Sequence, residues 1–416
     1  MIRLAIVGVG GYGAGLIDAL EGAEQACGCR LVAAADTRLH ALADRSARLE
    51  ARGVALYDDA LRMFDALRGR CEAVYLATGI PSHAALTVAA ARHGFHVHLE
   101  KPPAATVQEV DEMLGALREA GRMCLVGFQA LHGNLRLILD RLADGRLGLA
   151  RSATCLAGWP RNRSYYRRND WAGRLKSGGN WALDGPVTNA LAHQLAHMLA
   201  MASGRAGRFA VPTSVRAELY AAGPVESHNV AAIEVHTAAG AVIHFFCSHA
   251  TRENFGPVIR LGAEKGEAVY TSKDGSTVTY EDGTSESRPS EPTEQREMIA
   301  NFLAAVRSGD PTGLRCPLEE TRNYVLALDG AHESSGCVHR IDERYWRIER
   351  DGADDPRIVV AGLDDLLKAA GEAGLLLSDL PDAPPWAVPT EPFDLTDYAR
   401  FPQRFRCAAS DAPEWP

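Results

Sequence analysis

Gly8-Val9-Gly10-Gly11-Tyr12-Gly13 follows the apolar run IRLAIV and precedes the helical pattern AGLIDALEGAEQA. In this spacing Gly8 permits a tight turn and Gly10 lets a pyrophosphate approach the main chain. Gly13 lets the helix pack closely on the strand. Gly11 and Tyr12 complete the loop, and the helix N-terminus meets the phosphate charge. Asp36 ends the second apolar run, 31–35, where its carboxylate can accept hydrogen bonds from both hydroxyls of an adenosine ribose. A 2′-phosphate there would be repelled, so NAD is favoured over NADP. Arg38 could pair with such a phosphate, which keeps NADP open.

A second chemistry-bearing stretch is WPRNRSYYRRNDWAGR, residues 159–174. Aromatics interleaved with arginines suit either stacked bases with phosphates or the C–H face of a sugar with its hydroxyls. Trp159, Arg161, Tyr166, Asn169 and Trp171 are the candidate substrate contacts. The alternative is a loop that packs on a neighbouring subunit. A helix expected over 186–203, with Pro186 in its first turn, would carry Asn189, His193 and His197 at i, i+4 and i+8, on one face. Asn189 is a candidate substrate contact, and His193 a candidate acid/base or a structural core histidine. His193 and His197 also have the spacing of a metal pair, but no HExxH glutamate lies between them, so no metal is expected.

At Glu100-Lys101-Pro102 these features combine into a resemblance. The glycine loop, Asp36, the strand end Thr78…Pro81…His83, and Glu-Lys-Pro after the fourth strand together resemble the Gfo/Idh/MocA family of sugar-related oxidoreductases, over about residues 1–345. The resemblance implies that Thr78, Pro81, His83, Glu100, Lys101 and Gln129 line the cofactor. Lys101 would lie near the nicotinamide and help move the proton of a substrate hydroxyl. Pro102 would follow a cis peptide or tight turn that aims it. Gly127-Phe128-Gln129 matches a strand end that commonly reads Gly-Phe-Asn. In Gly178-Gly179-Asn180-Trp181-Ala182-Leu183-Asp184, Asp184 matches the family's catalytic aspartate. The family histidine four residues on is here Thr188, which departs from the pattern and leaves Asn189 and His193 to compensate.

The elements that must position these residues follow from apolar periodicity. Strands at 2–7, 31–35, 73–77, 95–99 and 123–128 alternate with helical patterns, as in βαβ units with a parallel sheet. After Leu147 the pattern changes to strands at 150–156, 214–221, 230–237, 241–249, 258–263, 267–272 and 276–281. Turns such as Ala239-Gly240 and Asp274-Gly275 join several of them. The expected fold is α/β, with an N-terminal Rossmann domain (1–124). A C-terminal α+β domain (125–345) follows, with a mainly antiparallel, open-faced sheet. That face is the expected surface for a homo-dimer or tetramer.

Residues 351–416 hold 13 acidic and 5 basic residues and nine of the 21 prolines. They carry −8 of the net −9, so the preceding body is near neutral. It lacks the basic footprint of a nucleic-acid binder. The segment 346–416 also contains the helical pattern GLDDLLKAAGEAGLL and the aromatics Trp386, Phe393, Tyr398, Phe401 and Phe405. A solvated tail has few aromatics, so an ordered extension that wraps the body or a neighbour is expected. No apolar run reaches the ~20 residues of a membrane span. Nine scattered cysteines without a CxxC pair, and a start that enters a strand at once, point to a reducing, cytoplasmic setting.

The expected activity is hydride transfer between NAD(P) and a secondary hydroxyl of a sugar, cyclitol or glycoside. Two alternatives remain. One is an NAD-dependent glycoside hydrolase or lyase working by transient oxidation and elimination. The other is a non-catalytic nucleotide-binding regulator.

Overall fold

The computed structural model describes residues 1–205, 207–350, 355–407 and 415. These form two compact units. The first comprises 1–104, 109–133 and 291–322, and the second 105–108, 134–290 and 323–416. The chain therefore crosses between units more than once, where a single boundary near residue 124 was expected.

The first unit is built on β1 (Ile2–Val7), α1 (Tyr12–Cys27), β2 (Cys29–Ala35), α2 (Ala43–Ala51), β3 (Ala55–Tyr57), α3 (Ala60–Leu67), β4 (Ala73–Leu76), α4 (His83–Arg92), β5 (His96–Leu99), α5 (Val107–Ala120) and β6 (Cys124–Val126). The six strands form one parallel sheet in the order β3-β2-β1-β4-β5-β6. This is the doubly wound dinucleotide-binding arrangement. Leu4, Ile6, Leu31 and Tyr75 are buried with Leu16, Ile17 and Leu20 of α1. The later helix Glu294–Ser308 adds Met298, Ile299, Phe302 and Leu303 to the same core, which is why that segment belongs here. The strands end in register. Tyr57, Ala35, Val7, Leu76, Leu99 and Val126 form one row across the sheet. The residues that follow that row include Asp36, Gly8, Glu100 and Gly127, so four separate sequence segments emerge at one edge.

The second unit contains α6 (Arg136–Ala143), β7 (Ala150–Gly158), α7 (Arg163–Tyr166), β8 (Lys176–Ser177), β9 (Asn180–Trp181), α8 (Ala192–Ser203), β10 (Pro212–Ala221), β11 (Val230–Thr237), β12 (Val242–Ser248), β13 (Phe255–Ala263), β14 (Gly266–Thr271), β15 (Gly275–Tyr280) and β16 (Ser285–Arg288). After α9 (Glu294–Ser308) and α10 (Leu318–Ser335) come β17 (His339–Arg340), β18 (Trp346–Glu349), β19 (Arg357–Val360), α11 (Leu363–Ala373) and β20 (Phe393–Asp394). Its large sheet runs β16-β15-β14-β13-β7-β12-β11-β10-β17. It is mainly antiparallel, with parallel pairings at β7/β12 and β10/β17.

Period-two alternation gives this sheet two faces. One carries Val215, Ala217, Ile233, Phe245 and Cys155, all buried. α10 packs there, where a Cβ on Gly330 would lie 2.9 Å from Val215. The other face, expected to be open, is covered over its central strands by the C-terminal extension. Leu363, Leu367 and Ala370 of α11 cluster with Phe246, Ala232 and Leu156. Along β10 the outward residues Arg216, Glu218 and Tyr220 each bind the extension. Arg216 pairs with Asp379, Glu218 accepts from Ser378, and Tyr220 accepts from the Val388 N–H. The extension is ordered because its aromatics and leucines bury apolar sheet surface, the dominant favourable term.

Candidate functional site

Each unit presents a polar centre built by its own topology. In the first, the glycine loop follows β1. A Cβ on Gly8 would lie 2.3 Å from the Ala77 carbonyl, and one on Gly13 would lie 2.1 Å from the Gly8 carbonyl. Those two glycines serve packing. Gly11 differs: a Cβ there meets nothing within 4 Å, and its φ of 51° favours glycine. It precedes α1 without a side-chain cap, and the Gly13 and Ala14 N–H groups turn back to the Gly10 and Gly11 carbonyls at 3.0 and 3.2 Å, so the space over Gly11 stays clear. That is the cradle a pyrophosphate needs.

Asp36 stands beside it. One carboxylate oxygen accepts the Val9 N–H at 2.9 Å and the other the Arg38 N–H at 2.9 Å. Each oxygen keeps lone-pair capacity for a ribose hydroxyl. The Arg38 side chain is exposed. Tyr12 is tied down on both sides: its hydroxyl donates to Gln295 at 2.9 Å and accepts from Gln129. Gln129 therefore braces the glycine loop. Packing around its hydroxyl and the nearby Glu100 carboxyl raise the Tyr12 phenol, although half of the residue remains exposed.

Thr78 and Pro81 follow β4, and Thr78 Oγ1 accepts from Ser82 at 2.8 Å. His83 is buried, with its ring nitrogens 2.8 Å from the Pro102 carbonyl and 3.1 Å from the Thr78 carbonyl. It clamps the two strand-end loops together, so it is a positioning residue. Lys101 is half-buried and the Lys101-Pro102 peptide is cis. Glu100 is buried against Gly127, and burial pushes its carboxyl up to about 7 against the pull of Lys101. From sequence Glu100 is expected only as a cofactor contact; its raised titration is a product of burial.

In the second unit the centre is Asp184, which is 1% exposed. Oδ2 accepts the Gly173 N–H at 2.6 Å, Oδ1 accepts the Asn189 amide at 2.8 Å, and the Arg168 guanidinium lies 3.5 Å away. The residue before it, Leu183, has φ 46°, a costly conformation for a residue with a branched side chain. Hydrogen bonds from the Leu183 and Ala182 N–H groups to the Leu175 carbonyl hold it.

The continuous helix expected over 186–203 is corrected. Pro186–Ala190 form a π-turn and α8 starts only at Ala192. Pro186 brings no N–H, and the Leu191 N–H reaches the Pro186 carbonyl five residues back at 2.7 Å. Asn189 and His193 therefore do not share an uninterrupted α-helical face. Asn189 turns to Asp184. His193 is half-buried, 5.8 Å from the His197 ring between centroids. His197 is buried against Tyr270, and burial depresses it to about 3. Thr188, at the position of the missing histidine, is fully buried. Its hydroxyl has no hydrogen-bond partner among the described residues, so it does not take over that histidine's place at a solvent-facing site.

The 159–174 stretch divides by role. Asn169 accepts the Trp171 and Ala172 N–H groups and shapes the turn. The Tyr166 ring packs on Gly173, where a Cβ would lie 2.7 Å from it, and beside Trp415 at 5.8 Å. Trp159, Arg161, Tyr165, Arg168 and Trp171 form an interleaved stack. Arg161 lies 5.0 Å over Trp159 and 4.8 Å over Tyr165, and Arg168 lies 3.7 Å over Tyr165 and 5.2 Å over Trp171. Tyr165 and Arg168 were missed from sequence, where nothing distinguishes them from Tyr166 and Arg167. His249 and His228 were missed too, each lying beside a strand end. His249 meets Tyr165 edge-on at 5.4 Å, and a Cβ on Gly185 would lie 2.3 Å from the His228 ring. Burial holds both imidazoles well below their ordinary range and therefore neutral. Among the described residues no group of three or more His, Cys, Asp or Glu could hold a metal, and no helix is long and apolar enough to cross a membrane.

The first unit is thus a nucleotide-binding domain of the doubly wound class. Residues 2–128 match the model of the Gfo/Idh/MocA oxidoreductase family, NAD-binding Rossmann fold. A glycosyl hydrolase family 109 protein of Solibacter usitatus is 27% identical over 155 residues, 35% of each chain. A 1,5-anhydro-D-fructose reductase of Ensifer adhaerens is 38% identical over 78 residues, 18% of this chain and 23% of that protein. The match thus spans about a third or less of these relatives' lengths. Among solved structures, the WlbA dehydrogenase of Bordetella pertussis, in complex with NADH and UDP-GlcNAcA, has a TM-score of 0.66 at 22% identity. It covers 80% of this chain and 95% of its own. Aldose-aldose oxidoreductase of Caulobacter crescentus, complexed with glycerol, gives 0.65 at 19%, covering 80% and 97%. At these identities the likeness shows the fold.

Proposed function

We propose that this protein is an NAD-dependent oxidoreductase acting on a secondary hydroxyl of a sugar, cyclitol or glycoside. The observation that carries the reading is the first unit's strand-end row. It brings the uncapped glycine loop, Asp36 and Glu100-Lys101 to one edge of a parallel sheet, where such sheets bind ligands. Bound NAD supplies the hydride acceptor or donor. Asp36 holds the ribose and the glycine loop holds the pyrophosphate. Lys101 hydrogen-bonds the reacting hydroxyl and takes up or returns its proton, with Glu100 as its neighbouring carboxyl. Asp184, Asn189 and His193 bind sugar hydroxyls in the second unit, and Trp159, Arg161 and Trp171 offer a ring-stacking surface. Sugar-like ligands in complexes of the structural neighbours agree with this substrate class.

The test is a panel of sugars and glycosides with NAD, read by reduced-cofactor absorbance and by product. Net reduction of the cofactor with conversion of a hydroxyl to a carbonyl supports dehydrogenation. A second reading, net hydrolysis or elimination with the cofactor restored, is favoured by the likeness to the glycosyl hydrolase family 109 protein and by Thr188 in place of the motif histidine. It predicts a cleaved glycoside with no lasting absorbance change.

A further inference from the structure

We infer that the substrate carries a negatively charged group, a carboxylate or a phosphate, which pairs with Arg161. This deepens the proposed function and rests on the reading that the second unit binds the sugar.

Three observations lead to it. First, Arg161 has no ion-pair partner among the described residues, and its Nε is buried without a hydrogen-bond partner among them. That buried N–H lacks an acceptor among those residues, and a carboxylate or phosphate fits the guanidinium fork with two parallel hydrogen bonds. Second, the neighbourhood holds two guanidinium groups, Arg161 and Arg168, stacked on Tyr165, with one carboxylate nearby. That carboxylate, Asp184, already accepts from Gly173 and Asn189 and lies 3.5 Å from Arg168. Among the described residues the positive charge of Arg161 is therefore left over, and together with Arg168 it helps to hold the buried His249 neutral. Third, the arginine is preorganised. The Trp159 and Arg161 N–H groups bond the Ser248 and His249 carbonyls at 2.8 and 3.1 Å, which continues the β7/β12 pairing and fixes the backbone. The side chain rests on the Trp159 ring, so little further freedom is lost when a ligand binds.

The experiment measures binding to the NADH-saturated full chain by calorimetry, with D-glucuronate, D-glucose 6-phosphate and methyl glucoside as probes. At least one anionic sugar is expected to bind tenfold or more tightly than the neutral glucoside, with a preference that weakens as salt rises. Whichever anion wins identifies carboxylate or phosphate. Arg161→Met is expected to reduce the preference below threefold, a ratio taken within each variant so that any common change in sugar affinity cancels. Arg161→Lys, which keeps the charge but not the fork, should fall between them. Thermal melts and NADH fluorescence establish that the variants are folded and loaded. Equal binding of charged and neutral sugars, no binding of any probe, or a preference that survives in Arg161→Met overturns the inference. Failure of the dehydrogenase reading is separate: it shows in turnover, which binding does not require.

Discussion

The Asn189 side-chain amide donates to Asp184 Oδ1 at 2.8 Å across a π-turn, so the irregular turn sets the chemistry of the buried carboxylate. Asn189→Ala leaves that carboxylate one donor short in a site shielded from water. Loss of about 2 kcal/mol is expected, since a hydrogen bond to a charged group contributes roughly 1.5–3 kcal/mol. Urea unfolding of variant and parent measures it. An unchanged midpoint would mean that water replaces the amide freely.

Lys101→Ala should abolish turnover while NADH fluorescence still reports binding, because the proposed nucleotide contacts at Gly11 and Asp36 do not involve the lysine. Retained turnover would refute its role as the proton-transfer group.

Gly185 has φ −151°, an extended value open to any residue, so only space requires glycine there. A Cβ would lie 2.3 Å from the His228 ring. Gly185→Ala should destabilise by about 1–3 kcal/mol through overpacking. Adding His228→Ala should recover part of the loss, read as a coupling energy in a double-mutant cycle. Strict additivity would show that the contact does not matter.

Glu100 gives a pH signature. Its carboxyl is pushed up to about 7 by burial, against an ordinary 4.5. Between those values the native state binds more proton than the unfolded chain, so stability falls as pH rises from 4.5 toward 7 and levels off above. Cofactor-free Glu100→Gln should lack this decline. Denaturant unfolding at pH 5 and pH 8, parent against variant, measures the difference. An identical pH dependence would place the Glu100 pKa near its ordinary value.

Glu333 anchors the extension. Its buried carboxylate accepts the N–H groups of Gln403, Arg404 and Phe405 at 2.5, 2.6 and 2.7 Å and the Tyr398 hydroxyl at 2.7 Å. Glu333→Ala strands these donors, and the segment 398–407 should loosen. Trypsin should then cut after the exposed Arg404 and Arg406 much faster than in the parent, and a mass spectrum of the digest records it.

Much of the fold was legible because it rests on local pattern. The apolar runs became β1, β2, β4, β5 and β6, and the strands after Leu147 fall near their expected bounds. β3, with three residues, and the helices α2, α3 and α6 escaped notice because short or highly charged segments show weak periodicity. The helix over 186–203 misled for a specific reason. Spacing assumes 3.6 residues per turn, and Pro186 with the reach of Leu191 to its carbonyl absorbs an extra residue there.

The sequence by itself determined the nucleotide-binding half, because glycine spacing, an acidic strand end and alternating strands are properties of nearby residues. It also determined that the last 66 residues differ in kind, through charge and proline content. Only the tertiary structure decided that α11 and the segment through Val388 lie over the sheet face, since which face is buried depends on partners far along the chain. Only it decided that Asn189 serves Asp184, that Tyr165 and Arg168 belong to the stack, and that Arg161 is left without a counter-charge among the described residues. Hydrogen bonds and charge balance are sums over neighbours in space, and sequence order does not list those neighbours.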